Sequence, residues 1–327
     1  MEILLLSDSQ VKPLLKAEEV IEAVEMVFME KAKGRVQMPS KTYVFIKKHE
    51  GDLRAMPSYI ETLDACGVKI VNVHPNNPIR YNLPAIAAVV LLIDPKTGLP
   101  LSIMGGTWIT ALRTGAAGAV ATKYLAKRDS SILSLVGAGV QATTQLMMIS
   151  KILALKQVRV WDIRPERTQQ LVDDSRKRYD FAFVACKTAE ECVKGADVIC
   201  TTTPATSPVV KNDWLEAGQH INAIGADAPG KQELDPEILK RAKIVIDDWD
   251  QASHSGEINV PFSLGIIGKE DVYGELGEIV AGLKKGRASD EEITVFDSTG
   301  LSIQDIATAT IAYKKAKAEN IGESFSF

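Results

Sequence analysis

The sequence predicts an α/β protein of two domains, one built on a doubly wound parallel sheet. Three observations lead there. From Ser131 onward, strand-like apolar runs alternate with helical stretches, the rhythm of a parallel sheet with helices on both faces. A glycine turn, Gly137-Ala138-Gly139, falls where the first of those strands gives way to a helix. The 327 residues also exceed what one hydrophobic core accommodates, roughly 250 to 300.

Ala17–Ala32 carries Val20, Val24, Val27 and Phe28 on one helical face, and Gly34 supplies a stop. Between Met38 and Ile103 the pattern shortens to strands at Thr42–Ile46, Val68–Val73 and Ala85–Ile93, separated by turn formers such as Pro75-Asn76-Asn77-Pro78. That block predicts a mostly antiparallel or mixed sheet. Thr107–Ala126 reads as a helix bridging the domains, with Gly115 to Ala119 small enough to let another backbone come close. Strands are then expected at Ile132–Val136, Val158–Trp161, Phe181–Val184, Val198–Thr201, His220–Ile224, Ile244–Ile246 and Ile293–Phe296. Helices should reach about Leu155 and Tyr179, and a closing helix should run over Ser302–Ala318. The parallel-sheet domain is expected over 113–304, with the last helix, 305–327, returning to the N-terminal domain, 1–112.

A hydrophobic fraction of 46% with 24% charged residues is that of a folded globular chain and argues against disorder. A net charge of −4 provides no field for nucleic acid or an anionic membrane, which leaves small molecules as the expected partners. The longest apolar run, Ala85–Ile93, falls far short of a membrane span. Met1–Leu6 followed by Ser7 and Asp8 lacks a basic leader, so a cytoplasmic location is expected. Cys66, Cys186, Cys192 and Cys200 form no Cys-x-x-Cys pair and read as reduced thiols. His49, His74, His220 and His254 are scattered, and no metal site is predicted.

Ser131–Val136 runs directly into Gly137-Ala138-Gly139-Val140-Gln141-Ala142 and a helix, the strand–turn–helix setting in which Gly-x-Gly-x-x-Gly/Ala binds a dinucleotide. Gly137 permits the tight turn, Gly139 lets backbone approach a pyrophosphate, Ala142 allows close packing, and the helix start offers N–H groups to the anion. This makes the domain Rossmann-type. A Gly-rich turn that serves packing alone is the competing reading. Asp162, ending the next strand roughly 20 residues on, suits the ribose hydroxyls and favours NAD. Arg164, two residues after it, leaves NADP open because a guanidinium pairs with a 2′-phosphate. The segment Gly225–Lys231 looks superficially like a P-loop, but Gln232 replaces the metal-binding hydroxyl and Pro229 removes a donor. It is therefore read as a ligand-binding turn after the strand His220–Ile224.

In Gly67–His74, the strand period puts Lys69 on one face with Val71 and Val73. Desolvation there would lower its pKa toward neutrality and make it a proton carrier; an edge-strand lysine reaching solvent is the plainer alternative. Arg54 and Arg113 sit in similarly unexpected settings and could clamp a carboxylate, although Asp52 makes a salt bridge equally natural for Arg54. Asp227 could orient a water or bind an amine, or cap its turn. Thr201-Thr202-Thr203-Pro204 and Phe296–Gly300, which contains Ser298 and Thr299, follow strands and could touch a cofactor or only terminate them.

Arg54-Ala-Met-Pro57, Lys69 with Asn72 and His74, Leu112-Arg113-Thr114-Gly115, Gly137-Ala-Gly139, Ile221–Asp227 with Pro229–Lys231, and Asp297–Gly300 together resemble the ornithine cyclodeaminase/mu-crystallin family, in its archaeal alanine dehydrogenase branch. The resemblance spans nearly the whole chain. It implies a homodimer with a substrate-binding and dimerisation domain beside the dinucleotide domain. Lys69 would transfer protons, Lys41 and Arg113 would bind the substrate carboxylate with Arg54 nearby, and Asp227 would work at the reacting carbon. Arg113, Thr114, Gly137, Ala138, Gly139, Val140, Gln141, Asp162, Ile163, Arg164, Thr202, Thr203, Pro204, Ile224, Gly225, Ala226, Lys231 and Ser298 would line the cofactor. Cyclodeaminases of the family carry a glutamate where Arg54 stands. That charge reversal points away from cationic ornithine, toward a short amino acid or its keto acid.

The expected reaction is NAD-dependent oxidative deamination of L-alanine to pyruvate and ammonia, and its reverse. Reduction of a cyclic imine such as pyrroline-2-carboxylate, ornithine cyclisation, and a non-enzymatic binding role are the alternatives.

Overall fold

The computed structural model describes residues 2–326, which form two compact units. The first comprises the chain up to Arg113 and from Leu301 onward; the second is Thr114–Gly300.

The first unit holds an eight-stranded sheet in the order Glu323–Ser326, Glu2–Leu6, Pro100–Gly105, Ile86–Ile93, Ala65–Val73, Gly51–Ile60 and Val36–Gln37, with Thr42–Ile46 also pairing to Gly51–Ile60. The Glu2–Leu6 and Pro100–Gly105 strands run parallel, and the other ladders are antiparallel. The sheet is thus mixed. One face of Ala65–Val73 is buried, bearing Ala65, Gly67, Lys69 and Val71, and packs on the closing helix Ser302–Glu319. The approach is close enough that a Cβ on Gly67 would lie 2.3 Å from the Leu91 carbonyl oxygen and 2.9 Å from Ile306 Cδ1.

The ten-residue strand Gly51–Ile60 was hidden from pattern reasoning, because its buried positions are Arg54, Met56, Ser58 and Ile60 and Pro57 interrupts it. On one edge of the strand the proline falls in a gap between ladders, while on the other it stands opposite Val68. The neighbouring ladder ends at Thr42 opposite Ala55, and the next begins at Gln37 opposite Tyr59. The strands Glu2–Leu6 and Pro100–Gly105 and the helix Asp8–Leu14 likewise lie where no element was predicted.

The second unit carries an eight-stranded sheet, parallel throughout, ordered Ala182–Ala185, Gln157–Trp161, Ile132–Val136, Val198–Thr201, His220–Ala223, Thr294–Asp297, Lys243–Ile246 and Val272–Glu275. Its central strands are buried along their whole length, as parallel strands covered on both faces must be. From Ile132–Val136 the chain winds outward one way, and it returns with Val198–Thr201 on that strand's other side. The carboxyl ends of these two strands therefore define the topological switch point, where such folds bind ligands. Helices Val140–Ile149 and Pro165–Arg176 end earlier than predicted. After Ile149 the apolar period continues, but single turns at Lys151–Leu153 replace the helix. Within this unit, Cβ atoms on Gly115 and Gly118 would come within 2.5 Å of the Thr144 carbonyl and 2.0 Å of Gln145 Oε1, the close packing that the small-residue run predicted. Among the described residues, no helix is long and apolar enough to cross a membrane.

Candidate active site

In the first unit, Lys69 is fully buried in the middle of its sheet, paired to Met56 on one side and Val90 on the other. The edge-strand alternative is thereby excluded. Its Nζ lies 2.8 Å from Asp305 Oδ2 on the closing helix. The contact is an ion pair without hydrogen-bond alignment, so the amine's donors are poorly used. Burial, then the Arg113 guanidinium and more weakly Lys41, push the Lys69 pKa down, Asp305 opposes them, and the balance falls at about 7. A lysine so placed exists in both protonation states near neutral pH, which a proton carrier requires.

Arg113 is 5% exposed and donates from Nε to Asp305 Oδ1 at 2.9 Å and from Nη1 to Gln304 Oε1 at 3.0 Å. One carboxylate therefore serves two buried cations. Arg54 is equally buried, but Asp52 takes its Nε at 2.8 Å and its Nη2 at 3.2 Å, and its guanidinium lies over the Tyr43 ring. The charge reversal inferred at this position is thus largely cancelled by Asp52. Lys41 precedes the strand Thr42–Ile46 and contributes through its charge.

In the second unit, Gly137 has φ +102°, and a Cβ there would sit 2.8 Å from Thr202 Oγ1, so the turn admits only glycine. Gly139 is the N-cap of Val140–Ile149, makes no side-chain cap bond, and has nothing within 4 Å of the place a Cβ would occupy. Asp162 accepts from Ala138 N–H and Arg164 N–H, each at 2.9 Å, and so ties the glycine turn to the next strand. Val140 and Ile163 flank this turn and are 64% and 82% exposed, an apolar surface suited to a flat base. Gln141 accepts from Thr144 Oγ1 at 3.1 Å, and the Thr114 carbonyl accepts from Gln145 Nε2.

The Thr201–Pro204 and Ile224–Asp227 loops meet on Glu233, which sequence reasoning missed. Its buried carboxylate accepts from Thr201 Oγ1 at 2.7 Å, Thr203 N–H at 2.6 Å, Thr203 Oγ1 at 2.8 Å and Gly225 N–H at 2.8 Å. Burial raises its pKa, with the hydrogen bonds opposing. Ile224 and Ala226 are buried behind this turn. Asp227 is about one-third exposed, and its Oδ1 lies 2.5 Å from Lys231 Nζ. Ser298 is buried, and its Oγ has no partner among the described residues. Asp305, Gln304 and Glu233 gave no usable signal in the sequence, because Glu233 stands among Lys231, Gln232 and Asp235 and the adjacent Gln304 and Asp305 look like the polar side of a helix.

An open, uncapped helix start behind a glycine turn, an acid at the adjoining strand end and an exposed apolar shelf fit a dinucleotide. Fold and site together define a Rossmann-type dinucleotide-binding α/β protein whose other unit, the first described above, buries a lysine–aspartate–arginine cluster. The comparisons agree. The family model for the ornithine cyclodeaminase/mu-crystallin family matches residues 1–320, and the chain belongs to that family. It is 49% identical to the alanine dehydrogenase of Archaeoglobus fulgidus, covering 100% of this chain and 99% of that one. An archaeal alanine dehydrogenase dimer with bound NAD superposes with TM-score 0.96 at 49% identity, covering both chains completely. The Thermococcus litoralis Δ1-pyrroline-2-carboxylate reductase, in complex with NADH and L-proline, superposes with TM-score 0.95 at 41% identity over 98% of this chain and 99% of that one.

Proposed function

We propose that this chain is an NAD-dependent amino-acid dehydrogenase that converts L-alanine, with water, to pyruvate and ammonia, and runs the reverse reductive amination. The chemistry is carried by one observation: a fully buried lysine amine poised near neutrality in contact with Asp305. The substrate is supported by the full-length similarity to alanine dehydrogenase.

Bound NAD would supply the hydride acceptor, held by Gly137–Gln141, Asp162–Arg164, Thr202–Pro204, Ile224–Ala226, Lys231 and Ser298. Proton handling and substrate binding fall to side chains of this chain. Arg113 and Lys41 hold the carboxylate of the amino acid, whose negative charge offsets the excess of buried cations. Lys69 exchanges the proton released as the amine becomes an imine and water adds. Asp227 orients that water. An acid at Asp162, hydrogen-bonded to the glycine turn at the end of the next strand, supports NAD over NADP.

A homodimer in the cytoplasm completes the reading. The open sheet face of the first unit is apolar, with Ile70, Val89 and Ile103 each more than a third exposed and Ile70 directly opposite Val89. The four cysteines are free thiols, as a reducing compartment keeps them.

The second reading, reduction of pyrroline-2-carboxylate, is favoured by the similarity to the Thermococcus enzyme. Following NADH absorbance with alanine plus NAD, with pyruvate, ammonia and NADH, and with pyrroline-2-carboxylate plus NADH separates the two. Turnover in the first pair is expected; turnover with the cyclic imine alone supports the second reading, and silence in all three sinks both.

A further inference from the structure

Asp305 lies on the first turns of a helix whose neighbouring residues, Ile303, Ile306 and Ala307, are buried and apolar, and it is itself fully buried. A carboxylate in such surroundings persists only if cations or donors satisfy it. It meets two cations from different elements: Oδ2 faces Lys69 of the sheet at 2.8 Å, and Oδ1 accepts from Arg113 Nε at 2.9 Å. Gln304, one residue earlier, takes Arg113 Nη1 and fixes the plane of the guanidinium from a second direction. The helix thus grips the arginine by two of its nitrogens and leaves Nη2 as the one these two side chains do not use.

We propose that Asp305 is a positioning residue that orients Arg113 for the substrate carboxylate and sets its other oxygen against the Lys69 amine, so that one buried carboxylate couples substrate binding to proton transfer. The inference rests on the dehydrogenase reading above and assigns a role to a side chain that does not itself react. The charged groups facing Lys69 are Asp305 from the closing helix, Arg113 from the helix Thr107–Leu125 and Lys41 from the segment before the strand Thr42–Ile46. Asp305 is the one anion of this set, so its removal has a defined sign. Without it, nothing in the set opposes desolvation and the two like charges, and the amine loses its proton at lower pH.

The test is the pH dependence of kcat/KM for alanine in wild type and Asp305→Asn, with NADH affinity measured by fluorescence titration. The Asn variant keeps the shape and removes the charge. The limb that belongs to Lys69 should move to lower pH by about one unit or more, KM for alanine should rise at least tenfold, and NADH affinity should change less than threefold. Asp305→Glu, which keeps the charge, should leave the limb in place while lowering kcat, and it decides the matter if the Asn variant does not fold. An active Asn variant with an unmoved limb, or a Glu variant whose limb shifts as far as one unit, overturns the inference. A wild-type protein inert toward alanine and pyrroline-2-carboxylate defeats the functional reading instead.

Discussion

Lys231 Nζ and Asp227 Oδ1 are 2.5 Å apart, an ion pair that closes the turn after the strand His220–Ala223. The pair is only partly buried, so its contribution to stability is small, and its significance is positional: it fixes the Asp227 carboxylate at the mouth of the turn. Asp227→Asn should lower kcat by about 100-fold or more, the span of a lost acid–base or water-orienting group. NADH affinity should stay within a few-fold. Steady-state kinetics beside a binding titration checks this, and a variant with near-normal kcat removes Asp227 from the mechanism.

Gly137 combines φ +102° with a Cβ position 2.8 Å from Thr202 Oγ1. Gly137→Ala should therefore cost about 1–2 kcal/mol of stability, and the turn should lose much of its hold on the dinucleotide. A lower melting temperature, with a smaller upward shift on adding NADH than wild type shows, is the expected result. Unchanged melting and unchanged shift would mean that the turn has no part in cofactor binding.

Asp162 is assigned to the ribose while its oxygens also receive Ala138 and Arg164 N–H groups. Asp162→Ser removes the anion and leaves Arg164 in place. A hydrogen bond to a charged group is worth about 1.5–3 kcal/mol, so NADH affinity should fall roughly tenfold to a hundredfold, and NADPH should gain relative to NADH. Parallel kinetics with the two cofactors reads the ratio; a preserved preference for NADH contradicts the assignment.

His220 is buried, with Nδ1 2.9 Å from Thr294 Oγ1 and Nε2 3.0 Å from Asn222 Oδ1. Burial first, and then Arg287, lower its pKa to about 3. Because the folded value lies below the unfolded one, the unfolded chain takes up the proton first as pH falls. The stability concerned is complete above the unfolded value, about 6.5, and is lost progressively toward 3, by about 1.4 kcal/mol per pH unit. Melting temperatures between pH 7 and 4 should fall less steeply in His220→Gln than in wild type, and equal slopes would show that His220 does not titrate this way.

Much of this was legible in the sequence where local chemistry and global fold agree. The alternation after Ser131, the Gly137 turn and the face of Lys69 all follow from periodicity and backbone freedom, and each reappears in the structure. What escaped were polar residues doing buried work. Arg54 and Ser58 on the inward face of Gly51–Ile60 disguised a strand, and the partners of Arg113 are 191 and 192 residues away in sequence. Spacing along the chain carries no trace of such a pairing, and the lone acids Glu233 and Asp305 look like ordinary surface residues until burial and partners are known.

The account turns on the amine of Lys69 as the proton carrier. The most direct measurement is kcat/KM of Lys69→Ala for alanine beside its NADH dissociation constant. The account predicts loss of turnover with NADH binding nearly intact, and partial recovery on adding a small primary amine. A Lys69→Ala variant that still oxidises alanine within a few-fold of wild type would contradict it.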